Sequence, residues 1–169
     1  MTVTSFIVLA AGLAAAVVID MRSRRIPNWL TGSLMAVALA FAVTGVGAVT
    51  PGQAALGIAA GLLLMLPGHI IGATGAGDVK LMAAVGGFVG PALVLNAFLG
   101  TAVVGGVFAV AVAMRRGRLM DTIAGTSQLV AAPSAAKVEI EAPARANRFA
   151  YGPAIAVGSL IAVLLTAKW

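Results

Sequence analysis

What most narrows the fate of this chain is the apolar stretch over residues 81–114, which contains no Asp, Glu, Lys, Arg or His. Such a segment has no polar face to turn toward water. It is also not alone, because comparable apolar runs cover about residues 3–19, 29–49, 54–72 and 153–167. A helix needs about 20 apolar residues to cross the hydrocarbon core of a bilayer. Composition closes the soluble alternative. The chain is 61% hydrophobic and 9% charged, with a mean hydropathy of +1.08, whereas a soluble domain carries roughly 25% charged residues. The same figures exclude a disordered chain, which is poor in apolar residues. The expectation is an all-α polytopic membrane protein forming a single domain over residues 1–169.

The stretch 81–114 is too long for one span, and Gly90-Pro91 offers a break because proline cannot sit inside a regular helix. It is therefore divided into a short helix over about 79–89 and a longer one over about 92–114, for about six transmembrane helices. Charge then orients them. Arg22, Arg24 and Arg25 follow the first helix, Lys80 lies in the turn before the fourth, and Arg115, Arg116, Arg118, Lys137, Arg145 and Arg148 lie between the last two. With this arrangement every cation except Lys168 falls on one side. The positive-inside rule makes that side cytoplasmic and places both termini outside. The net charge of +6 thus reads as membrane topology and headgroup contact rather than as nucleic-acid binding. A cleavable signal peptide over residues 1–19 is disfavoured, because no basic residue precedes the apolar run. Residues 115–150, rich in Ala, Pro and Ser, read as a cytoplasmic loop with a surface-lying helix near 119–129.

The inventory of reactive side chains is short. There is no cysteine and one histidine, His69, so thiolate zinc, iron–sulfur and histidine-cluster sites are excluded and no cofactor is expected. His69 reads as a packed or interfacial residue near the end of the third helix. The five acidic residues are Asp20, Asp78, Asp121, Glu139 and Glu141; the last three fall in the polar loop and read as solvated charges. Asp20 closes the first helix and Asp78 opens the fourth, so two carboxylates remote in sequence meet at one membrane depth. An ionisable group at such a boundary costs several kcal/mol unless it faces partners or water. The bland reading makes Asp78 a helix N-cap and Asp20 a solvated end residue.

The surroundings of Asp78 favour function. In Gly72-Ala-Thr-Gly75-Ala-Gly77-Asp78, the glycines allow positive φ and close approach of another chain. At a membrane interface irregular backbone survives where it lines protein or water. A carboxylate at the end of such a loop suits a site that an extended peptide must reach.

These residues resemble a known family. Gly75-Ala-Gly77-Asp78, with Val79, Lys80 and Leu81 after it, is similar to the GxGD signature of the type IV prepilin peptidases. Asp20-Met-Arg-Ser-Arg-Arg25-Ile-Pro27-Asn28 resembles the loop that carries that family's first aspartate, and Tyr151-Gly-Pro-Ala-Ile-Ala resembles the start of its last helix. The resemblance implies a membrane-embedded aspartyl endopeptidase of the bacterial inner membrane. It would cut the leader of prepilin-like precursors at the cytoplasmic face and pass the product to a pilus assembly machinery. Longer members carry a cysteine zinc motif in an N-terminal cytoplasmic region, linked to N-methylation. This chain looks like the short form associated with Flp-type pili, without methyltransferase activity.

The resemblance makes Asp20 and Asp78 the catalytic pair, with Gly75 and Gly77 shaping the loop. Like charges that approach closely cannot both ionise, so the pair shares one proton. Lys80 either tunes the pair or meets anionic lipid. Arg22, Arg24 and Arg25 set topology and bind headgroups. Pro27 and Asn28 read as the turn and N-cap entering the second helix, and Tyr151 as an interfacial aromatic on the catalytic side. The pairs Gly57/Gly61, Gly68/Gly72 and Gly86/Gly90 have the small-xxx-small spacing of close helix packing. Two other classes compete: a proton-coupled transporter relaying protons through Asp20 and Asp78, and a structural subunit in which both acids merely cap helices.

Overall fold

A computed structural model of the chain describes residues 1–115 and 151–166. Most of the loop expected over 115–150, its surface helix, and residues Lys168 and Trp169 lie outside them. The described residues form helices α1 (Val3–Ser23), α2 (Asn28–Thr44), α3 (Pro51–Ile70), α4 (Ala76–Arg115) and α5 (Gly152–Thr166). Three helices, Val3–Ser23, Pro51–Ile70 and Ala76–Val112, are long and apolar enough to cross a membrane, and α2 and α5 are shorter apolar helices. Five helices thus stand where about six were expected, because α4 runs through the expected division.

That division is nonetheless present in the backbone. Gly90 breaks α4 with φ 80° and ψ 175°, outside any helical region, and Pro91 restarts it, its missing N–H being one that a helix start leaves unpaired in any case. A Cβ on Gly86 would lie 3.1 Å from Val94 Cγ2. Eight residues along a straight helix would separate these groups by about 12 Å, so the two arms of α4 fold back on each other. Only glycine adopts this φ without strain.

Local signals set the other ends. Thr2 caps α1 by accepting the Ser5 N–H at 3.2 Å. Thr50 and Gln53 form a reciprocal capping box ahead of Pro51 at the first turn of α3, so Pro51 begins a helix where the sequence placed a loop. Gly45, with φ 73°, ends α2 short of the expected residue 49.

The first arm of α4 is the centre of the bundle. Every residue from Leu81 to Gly90 is buried, with α3, α2 and the second arm of α4 around it and α5 against the remainder of α4. Close backbone contact makes this possible. A Cβ on Gly57 would overlap the Gly86 carbonyl, one on Gly61 would stand 2.5 Å from the Met82 carbonyl oxygen, and Gly100 and Gly158 meet in the same way between α4 and α5. Gly57/Gly61 therefore pack helices as expected. Gly68/Gly72 do not: Gly72 lies beyond α3 in a turn with φ 79° and has open space around it. Phe41 and Phe88 add an edge-to-face contact at 6.2 Å. Ile7, Leu56, Leu63, Leu99, Val103 and Val107 are among the many large apolar side chains left exposed, as helices facing lipid require.

The bundle has two distinct ends. At one, Thr2 Oγ1 donates to the Val46 carbonyl at 3.0 Å, and a crevice of about 480 Å³ is lined by Met1, Val49, Gln53, Gly90, Pro91 and Thr166, among others. The opposite end gathers the end of α1, the starts of α2, α4 and α5, and both candidate acids.

Candidate active site

Asp20 sits one turn before the end of α1 rather than at its last residue. The helix continues to Ser23, and Arg24 closes it with φ 51° while its N–H bonds the Asp20 carbonyl. The side chain of Asp20 turns inward and is 5% exposed, so the solvated-end reading does not hold. Its Oδ2 accepts the N–H of Gly152, from the far end of the sequence, at 3.0 Å. Gly152 is the first residue of α5, where backbone donors lack helical partners and the helix dipole favours negative charge. A Cβ on Gly152 would stand 2.7 Å from that oxygen. Glycine is therefore what lets α5 start directly against the carboxylate.

Asp78 is buried at 9% exposure and occupies the third position of α4, not the N-cap. Its Oδ2 accepts the Gly75 N–H at 2.9 Å, the returning half of a capping box. The loop glycines act by lacking a Cβ. Of the three before Asp78, only Gly72 has positive φ. A Cβ on Gly77 would lie 2.9 Å from Ile26 Cβ and 3.2 Å from its carbonyl oxygen. What approaches this loop most closely is thus the chain's own turn between α1 and α2, where the sequence reading placed an incoming peptide. That contact draws the Asp20 helix toward the start of α4.

Tyr151 lies beside the Asp20 partner. It immediately precedes Gly152, and its ring lies against α4 at Gly105, where a Cβ would meet Tyr151 Oη at 2.8 Å. Burial, and after it the negative charge of Asp78, push the Tyr151 phenol above its ordinary value. Gly152 falls within the Tyr151-Gly-Pro motif but its contact with Asp20 was not read from the sequence, and no local pattern marks Gly105, since both roles are set by partners far along the chain.

The other candidates are more peripheral. Lys80 lies inside α4 rather than in a turn before it, and its Nζ donates to Asn28 Oδ1 at 2.8 Å; it links α4 to α2 in place of the expected contact with lipid or the acid pair. Asn28 is the first residue of α2, and Pro27 holds the cap position with no side-chain bond, so Asn28 is not the N-cap. Arg22, Arg24 and Arg25 are exposed. His69 is exposed rather than packed, with Nδ1 3.0 Å from the Thr74 carbonyl oxygen. Among the described residues no three His, Cys, Asp or Glu side chains come together as a metal site.

An all-helical bundle with helices long and apolar enough to cross a membrane thus buries two carboxylates at one end, Asp20 against the start of α5 and Asp78 against the glycine loop. Residues 7–110 match the type IV leader peptidase family, and the chain belongs to that family. No curated protein and no solved structure matches it.

Proposed function

We infer that this protein is an aspartyl endopeptidase of the inner membrane that removes the leader from prepilin-like precursors at the cytoplasmic face. Asp20 and Asp78 are its catalytic pair. The observation that carries this reading is the burial of both acids at one corner of the bundle, Asp20 against the Gly152 N–H at the start of α5 and Asp78 against the Gly75 N–H, beside Gly77 that packs on Ile26 of the turn after α1. Six alternating passes, with the reversal at Gly90 and both termini outside, leave that corner on the arginine-bearing side.

The chemistry follows from a pair that shares one proton. The ionised carboxylate takes a proton from water, whose oxygen attacks the scissile carbonyl carbon, while the protonated carboxyl donates to the carbonyl oxygen. The tetrahedral diol collapses as its C–N bond breaks, the amide nitrogen takes a proton and the pair regains its starting charge. No covalent intermediate is needed. The substrate is a precursor with a basic leader on the cytoplasmic side and an apolar helix in the bilayer. The short form points to Flp-type pilins.

The test is co-expression with such a precursor, reading precursor size on a gel. Asp20→Asn and Asp78→Asn are each expected to abolish processing, by about 1000-fold or more, at unchanged enzyme abundance. Processing that survives in both variants would sink the two-aspartate mechanism.

A further inference from the structure

The histidine that the reactive-residue inventory set aside is tied to Asp78 through a single peptide unit. The carbonyl of Thr74 lies 3.0 Å from His69 Nδ1. The N–H of the same peptide group belongs to Gly75 and donates to Asp78 Oδ2 at 2.9 Å. A carbonyl oxygen only accepts, so Nδ1 carries the hydrogen. The chain is then His69 Nδ1–H to Thr74 C=O, and Gly75 N–H to the Asp78 carboxylate. Hydrogen bonds in series polarise one another: a donor on the carbonyl of an amide strengthens that amide's N–H as a donor.

The rest of the loop supports this geometry. The Ala73 and Thr74 N–H groups both bond the Gly68 carbonyl, at 2.8 and 3.2 Å, and the Gly72 N–H bonds the His69 carbonyl at 3.0 Å. The end of α3 thus holds the loop through backbone bonds, while the His69 side chain reaches the carbonyl of the peptide that faces Asp78.

We propose that His69 is a positioning residue for Asp78, acting through the Thr74–Gly75 peptide and touching neither substrate nor the reacting atoms. The proposal rests on Asp78 being half of the catalytic pair. Its substitutions separate geometry from polarity. His69→Asn keeps an N–H near the place of Nδ1, His69→Gln moves it to the place of Nε2, and His69→Leu removes it.

Two measurements on the full-length protein in detergent micelles decide it. The first is hydrogen exchange at the Gly75 amide, which needs no substrate. His69→Leu and His69→Gln should speed it about fivefold while helix amides keep their rates, and His69→Asn should preserve it. The second is cleavage kinetics on a precursor whose basic leader ends in glycine ahead of about 20 apolar residues. There His69→Leu and His69→Gln should lower kcat about fivefold at constant KM, and His69→Asn should restore it. Gly75 exchange that ignores His69→Leu overturns the proposal whatever the cleavage result. So does a rise in KM at constant kcat, which would make His69 a substrate contact, or an unchanged kcat in an enzyme that Asp78→Asn silences. Cleavage that survives Asp20→Asn and Asp78→Asn instead defeats the dyad, with the exchange result still judging the hydrogen-bond chain.

Discussion

At the scale of single residues the site is built from missing side chains as much as from present ones. Asp20 and Asp78 each accept a glycine N–H, from Gly152 and Gly75. Gly152→Ala would place a methyl 2.7 Å from Asp20 Oδ2, closer than real contacts allow, and must push the carboxylate or α5 aside. We expect this variant to lose processing at least about tenfold, a 1.4 kcal/mol effect, with near-normal abundance. Gly106→Ala, at a glycine with nothing within 4 Å, should process like wild type. Equal activity of the two variants in the precursor assay would refute a role for the Gly152 junction. Both acids were legible in the sequence, because a scarce charge beside an apolar run is conspicuous. The hydrogen bonds that Gly75 and Gly152 make to them were not, since a backbone N–H looks the same at every position.

At the scale of elements, the glycine interfaces decide how α3, α4 and α5 pack. Gly57 and Gly86 each sit where the other's backbone would strike a Cβ, so Gly57→Val must force α3 away from the central arm of α4. Overpacking of this kind costs about 1–3 kcal/mol, and thermal unfolding in detergent should show a clear fall in Tm. Gly32→Ala, in open space on α2, should leave Tm unchanged or slightly raised, because alanine is the better helix former. The spacing of Gly57/Gly61 marked this interface in advance, whereas Gly68/Gly72 shared the spacing and packs no neighbouring helix. The difference is that α3 ends at Ile70, so Gly72 serves a turn. Gly100 and Gly158 lie on separate helices, and one segment read alone cannot pair them.

At the scale of the whole molecule, the proposed six alternating passes make a labelling prediction that this chain suits, since it has no cysteine of its own. Single cysteines placed at Ser23 and Ala73 should react only with reagents that reach the cytoplasm, and those at Ala48 and Ala92 only from the outside. Labelling of positions 73 and 92 from the same side would rule out the reversal at Gly90 within the membrane. Uncharged runs and clustered arginines were enough to establish a helical membrane protein and to locate the break in α4. They reflect solvation, a property each segment carries wherever its neighbours are: apolar side chains leave water, and backbone in lipid must bond to itself. The GxGD stretch and the loop after Asp20 likewise marked the acids locally. Only the tertiary structure decided that Ile26 covers Gly77, that Lys80 bonds Asn28, that His69 reaches the peptide facing Asp78, and that α5 starts against Asp20. Three of these are pairings between groups far apart in the chain, which exist only once the helices have packed, and the fourth, His69 with Thr74 five residues on, depends on how the loop after α3 closes.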